Sequence, residues 1–195
     1  MASIFQKLEQ QAFRAGVTPR TDDSRKWFMQ KLKSMRVNRR GVLSSEELKA
    51  VSRPRIGSMY MYFYDPKHRE TLPYYDMFPL VIMVEPAIGG FYGLNLHYLA
   101  PSLRARLFDK LLETTNNNKY DETTKMKVRY NLLKSVSRFP GVKPCYKRYL
   151  YSQIERMPVK VEAPEWEIAL FLPTEQFAKA NKRQVWSDSK KNLRG

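Results

Sequence analysis

Catalysis needs a nucleophile, a proton-transfer group or a metal cluster, and this chain is poor in all three. It has two histidines, His68 and His97, far apart in sequence and in no metal-ligand spacing. One cysteine, Cys145, can make neither an intrachain disulfide nor a zinc site. His68 falls in a turn and is expected to be solvated, and His97 follows a strand and is expected at its rim. Asp65 and Asp76, and the later group Glu162, Glu165 and Glu167, could attract a divalent cation. No carboxylate–x–Lys pattern of the nuclease kind follows a suitable strand, so Glu165 and Glu167 read as an exposed face beside Trp166. Gly89-Gly-Phe-Tyr-Gly93 has the glycines of a phosphate loop but not its Lys-Ser/Thr, and reads as a bend. The expectation is a protein with no catalytic residue, no metal and no cofactor.

Charge carries more information. The formal net charge is +16 over 195 residues. Residues 1–57 carry +8 and residues 101–156 another +8, while 58–100 carry −2 and 157–195 carry +2. An excess of this size favours a polyanion or an acidic protein face and is a self-repulsion that a partner relieves. With 43% hydrophobic and 13% aromatic residues the chain can still bury a core. Lys7 and Glu9 interrupt the N-terminus before a signal-type apolar region forms. The uncharged run 86–103 holds glycines and prolines that disqualify it as a membrane-spanning helix.

The elements that must position these charges follow from periodicity. Helices are expected over 2–15, 22–36 and after Ser44. In the second, Trp27, Phe28 and Leu32 share one face, and Arg25, Lys26, Lys33 and Arg36 the opposite face. Residues 58–64 alternate as a strand, with Met59, Met61 and Phe63 on one side and Tyr60, Tyr62 and Tyr64 on the other. Strands are expected at 80–84 and 91–96, with Gly93 marking a bulge or bend. Helices follow over 101–115 and 122–138, stopped at 116–118 and 139–141, and a further helix over 144–156. Short strands are expected at 159–161 and 168–172. Lys127, Lys134 and Arg138 fall within about 40° of one another on a helix and could meet phosphates. Arg104 lies inside the apolar arc of its helix, where a guanidinium needs a carboxylate or backbone carbonyls. The three tyrosines suit a core, a protein interface or a base-stacking platform.

The fold expected is α+β: a small twisted antiparallel sheet or partial barrel packed by helices in 54–195, with a basic helical arm in 1–53. Three runs carry a resemblance: Gly57-Ser-Met-Tyr-Met-Tyr-Phe-Tyr-Asp-Pro-Lys67, Leu72-Pro-Tyr-Tyr-Asp-Met-Phe-Pro-Leu80 and Gly89-Gly-Phe-Tyr-Gly-Leu-Asn-Leu-His-Tyr-Leu99. With Tyr120–Lys125, Glu165–Pro173 and Val185–Lys190, they resemble small virion-associated proteins of large contractile-tailed bacteriophages. The resemblance implies a virion part, made in the host cytoplasm and present in several copies in a symmetric assembly, and it brings no catalytic residues.

Two functions follow as expectations. In the first, the chain is a structural adaptor of the tail, baseplate or neck. Trp27, Phe28, Leu32, Tyr60, Tyr62, Tyr64 and Trp186 then dock into neighbouring virion proteins. In the second, Arg25, Lys26, Lys33, Arg36, Arg104, Lys127, Lys134 and Arg138 bind DNA at the packaged genome end. No membrane partner is expected.

Overall fold

The computed structural model describes residues 3–44, 49–115, 119–138 and 142–191. Three short helices come first: α1 (Ile4–Arg14), α2 (Asp22–Leu32) and α3 (Arg39–Leu43). Each begins at a side chain that accepts an otherwise orphaned backbone N–H: Ser3 from Gln6, Thr21 from Ser24, and Asn38 from Gly41. The helix expected after Ser44 starts in 45–48, outside the described residues. The stops expected at 116–118 and 139–141 lie outside them too.

Strands β1 (Met59–Met61), β3 (Leu80–Ala87), β4 (Gly90–Asn95), β5 (Tyr146–Leu150) and β6 (Val159–Val161) form one open antiparallel sheet in the order β5-β4-β3-β1-β6. A second, two-stranded sheet pairs β2 (Tyr75–Asp76) with β7 (Phe177–Ala178). Helices α4 (Pro101–Thr115), α5 (Glu122–Val136), α6 (Trp166–Phe171) and α7 (Lys182–Lys191) complete the α+β fold. The five-stranded sheet does not close into a barrel.

The alternation read from 58–64 separates two cores. Met59 and Met61 belong to the large one, with the helices, while Tyr60, Tyr62 and Tyr64 form a smaller one with Val81, Met83, Phe91 and Tyr149 on the opposite face. The bulge expected near Gly93 is present: the β3–β4 register shifts between Met83 and Glu85. A Cβ on Gly93 would collide with the Val81 side chain, so the close approach needs glycine there.

Several elements differ from expectation. Helix α2 ends at Leu32 and not near Arg36, so Lys33 and Arg36 leave its face, and α3 falls before Ser44. Residues 146–150 form a strand, not part of a helix. Tyr149 faces the small core while Arg148 points to solvent, which is the period of two that an edge strand imposes. Residues 166–171 form a helix, not a strand, and all six are buried. A helix covered on every side has no polar stripe to reveal its period. The apolar stripes of α1 and α2 are covered by the chain's own body, since Phe5, Leu8, Phe28 and Leu32 lie in the same core as α6. No helix among the described residues is long and apolar enough to cross a membrane.

Candidate functional site

Beyond Leu32 the chain leaves its helix through a turn at Lys33 and Ser34 and runs without regular structure until Asn38 caps α3. Buried Leu32 and Val42 pin the two ends of this segment, so the residues between them form a fixed wall. Facing it is the segment 173–177, held by the pairing of Phe177 with Asp76. Arg39 stitches the two walls together, donating from Nε to the Thr174 carbonyl (2.7 Å) and from Nη2 to the Glu175 carbonyl (2.9 Å).

Two adjoining cavities open on either side of this stitch, of about 500 and about 540 Å3. They share Val37, Arg39 and Gln176. Lys33, Arg36 and Lys182 line one; Arg40 and Arg69 line the other. Aromatic rings sit in both, Phe177 in the first and Phe63, Tyr64 and Tyr75 in the second. Some of the cations are already engaged: Arg69 pairs with Asp65 (3.0 Å) and Lys182 with Glu175 (3.3 Å). Lys33, Arg36 and Arg40 meet no carboxylate among the described residues, and all three are exposed. The cleft thus offers three uncommitted positive charges on one wall, above aromatic surface.

A buried polar network holds the opposite wall in place. The Asp76 carboxylate accepts from the backbone N–H groups of Phe78 (3.0 Å) and Gln176 (3.3 Å), from the Asn95 side chain (3.0 Å) and from His97 Nδ1 (2.7 Å). Through Nε2 the ring also bonds the Thr174 hydroxyl oxygen (3.1 Å), which itself donates to the Leu172 carbonyl (3.4 Å). Carboxylate, imidazole and hydroxyl stand in the order hydrolases use, yet Asp76, His97 and Thr174 are 3%, 0% and 0% exposed. A substrate has no path to them, and their work is to fix residues 174–176. His97, expected at a rim, is therefore interior.

Arg104 is fully buried below this network. It donates to the carbonyls of Leu99 (2.8 Å), Leu170 (2.9 Å) and His97 (3.4 Å), faces Glu175 at 3.9 Å, and lies against the Trp186 ring. Burial pulls the Arg104 pKa down and Glu175 opposes that pull. For Glu175 burial raises the pKa, but Arg104, His97 and Lys182 outweigh it and hold the carboxyl below its ordinary range.

The expected site residues scatter. Phe28 and Leu32 are inside the core, and Trp27 is half-buried edge-on to Phe28. Tyr60 and Tyr64 are buried and accept backbone N–H bonds from Arg55 (2.7 Å) and Leu150 (3.3 Å), while the buried Tyr62 hydroxyl has no partner. Phe28, Leu32, Tyr60, Tyr62 and Tyr64 are therefore not free for a partner, nor is the indole N–H of half-buried Trp186, which donates to the His97 carbonyl (2.9 Å). Arg25 pairs with Asp22 and Asp109, and Lys26 with Asp23 at 3.8 Å. Arg104 is sealed from any polyanion. Lys134 reaches Glu85 at 3.5 Å, whereas Lys127 and Arg138 are exposed. Of the eight cations proposed from sequence, the cleft gathers Lys33 and Arg36.

Sequence reading missed Arg39, Arg40 and the Asp76–His97–Thr174 network, whose members lie up to 98 positions apart. It also missed Glu167, which is buried, not exposed, and accepts from Ser24 Oγ (2.6 Å) and the Arg20 N–H (3.0 Å). A lone carboxylate between Trp166 and Ile168 was the available signal. Cys145 is fully buried, and burial pushes its thiol up to about 12. Among the described residues no group of three or more His, Cys, Asp or Glu side chains is arranged to hold a metal ion.

A family model described as phage T4 terminal DNA protecting protein matches residues 1–191. No curated protein and no solved structure matches the chain. The match agrees with the resemblance to contractile-tailed phage proteins as far as phage origin goes. It overturns the expectation of a tail, baseplate or neck adaptor, because the family's defining property is protection of DNA termini. The alternative, a protein of the genome end, is the one it favours.

Proposed function

The chain belongs to the phage T4 terminal DNA protecting protein family, and on that footing we propose that it binds the ends of linear DNA through the double cleft beside Arg39. The observation that carries the reading is the set of three uncommitted cations, Lys33, Arg36 and Arg40, on one wall of a cleft with aromatic surface. Phosphates would take these charges and release counterions. The rings of Phe177 and Tyr75 offer stacking surface to unpaired or frayed bases, which is tolerant of sequence because every base has a π-face. Both cavities fall within the range of about 300–1,000 Å3 typical of ligand pockets, room enough for a nucleotide near the terminus. The protein acts by occupying the end, without chemistry of its own, and so travels with the genome in the virion.

The test compares a blunt linear duplex with a covalently closed circle of the same sequence in competition binding, and follows digestion of the linear DNA by an exonuclease. The chain is expected to prefer the linear form and to slow its digestion, and Lys33→Ala/Arg36→Ala/Arg40→Ala to lose both effects. Equal affinity for circle and linear duplex would sink the reading.

A further inference from the structure

Ile88 is the most exposed large apolar side chain among the described residues, at 91%. It sits at the tip of the β3–β4 hairpin, in the two-residue turn Ile88-Gly89. A solvated aliphatic tip on a loose turn would need no explanation. This turn is braced at several points. The Ile88 carbonyl accepts from Arg148 Nη2 (2.9 Å), and the Gly89 carbonyl from the Tyr151 N–H (3.0 Å). Gly89 has φ +69°, and a Cβ on Gly90 would collide with the Tyr149 carbonyl, so the two glycines let β5 pack directly against the turn. Tyr151, 43% exposed, lies beside Ile88 with its ring 5.7 Å from Phe91.

Positive charge lies at the base of this apolar tip, where Arg148 bonds the Ile88 carbonyl, and the tip connects to the cleft. On the helix side, Tyr92 stacks on Tyr146 at 5.3 Å, Tyr146 donates to Glu85, and Lys134 reaches Glu85. That chain of contacts brings Lys134 to the hairpin stem. On the other side, residues 151–155 run from the tip to the cleft. Tyr151 bonds Gly89, Ile154 bridges Tyr64, and both Tyr64 and Glu155 line the cavity next to Arg40. Four residues span at most about 14 Å, the length of about four base-pair steps of about 3.4 Å.

We infer that the Ile88–Tyr151 tip packs on the exposed face of the terminal base pair of the DNA whose phosphates occupy the cleft. That face is the one large apolar surface a duplex shows to solvent, since every interior pair hides its own by stacking. Proteins insert rigid aliphatic side chains against base steps in the same way when they kink DNA. Arg148 at the tip and Lys134 at the stem fit a duplex end, which brings phosphates to the tip, and would repel a basic partner. This inference rests on the DNA-end reading and adds to it the means of telling an end from an interior site.

The test uses a blunt duplex carrying 2-aminopurine either at its terminal pair or five pairs inward, with the full chain. Wild type is expected to change the fluorescence of the terminal probe and leave the internal one unchanged. Because Ile88 packs against little, Ile88→Ser is expected to fold normally, to weaken binding of the linear duplex about tenfold, as loss of one buried aliphatic side chain implies, and to abolish the terminal signal. Its affinity for closed circles should stay at the wild-type value, and Ile88→Leu should keep both end properties. If Ile88→Ser retains wild-type end affinity or the terminal signal, the tip assignment is wrong while the cleft reading stands. If wild type itself shows no preference for ends, both fall.

Discussion

Removing the three cleft cations, Lys33→Ala/Arg36→Ala/Arg40→Ala, changes a quantity that can be worked out beforehand. Each of these side chains is exposed and without a carboxylate partner among the described residues, so each is counted as one neutralised phosphate. The logarithm of affinity falls with the logarithm of salt at a slope of about −0.9 per phosphate on duplex DNA and about −0.7 on a single strand. Losing three contacts should therefore flatten the slope by about 2.7, or about 2.1 if the bound terminus is unpaired. Between about 50 and 200 mM salt the wild type should lose about 40-fold, or about 18-fold, more affinity than the variant. Fluorescence anisotropy of an end-labelled duplex across that salt range reads the slope directly. Arg39 is left in place because its two backbone bonds hold the cleft walls together. The matched control is Lys26→Ala/Lys160→Ala, whose charges already face Asp23 and Glu162 and should move the slope much less. An unchanged slope in the triple variant, or an equal change in the control, would refute the assignment of DNA binding to this cleft.

Arg104→Ala should cost about 3–5 kcal/mol, because it strips three carbonyls of a donor and leaves buried Glu175 with Lys182 alone. In thermal unfolding that is a fall of between about 6 and 20 °C for a chain of this size; a loss below about 1 kcal/mol would show the guanidinium to be dispensable. Tyr62→Phe removes a buried hydroxyl that has no partner and should be neutral or mildly stabilising, whereas Tyr149→Phe takes away the acceptor of the Asn95 amide (3.1 Å) and should cost about 1 kcal/mol. Chemical unfolding of the two side by side decides this, and the opposite order would overturn it. Glu175 has a folded pKa held below its ordinary 4.5, so the stability it contributes is present above that value and lost as pH falls through the folded pKa. Glu175→Gln should therefore be less stable than wild type near neutral pH, with the gap narrowing in acid; a gap that does not depend on pH would contradict the pairing with Arg104.

The parts of this fold that could be read from sequence are those where one face is apolar and the other is not, or where alternation is strict. Residues 58–64 alternate methionine and tyrosine, and the two sets went to two different cores. Arg104 was legible as a buried cation because it broke an apolar arc. Residues 146–150 were misread because Tyr146, Tyr149 and Leu150 recur at a spacing that a helix also allows, with no β-branched residue to tip the balance. Residues 166–171 were misread because a short continuous apolar run has no period to measure. The cleft could not be read at all. Its walls come from residues 33–40, 63–77, 155 and 173–182, and what joins them is Arg39 donating to main-chain carbonyls, which leave no mark in sequence.

The carboxylates explain why so much positive charge is left over for a partner. Asp76 and Glu167 are spent inside the fold on hydrogen-bond donors, and Glu85, Asp109 and Glu175 are tied to Lys134, Arg25, Arg104 and Lys182. The apolar anchors that a protein partner would grip are mostly inside as well: Phe28, Leu32, Tyr60, Tyr62 and Tyr64 are buried. Affinity must then come chiefly from charge, and charge alone favours the middle of a DNA molecule, where phosphates lie on both sides and the counterion atmosphere is densest. A protein that protects termini has to overcome that bias with short-range contacts that only an end can satisfy. Within the described residues, two features have the required geometry: a cleft that can take phosphates near the terminus, and a braced aliphatic tip joined to it by residues 151–155, which span at most about 14 Å. Salt should accordingly weaken all DNA binding by this chain while sharpening its preference for ends, because screening removes the term that favours the interior and leaves the contacts that do not.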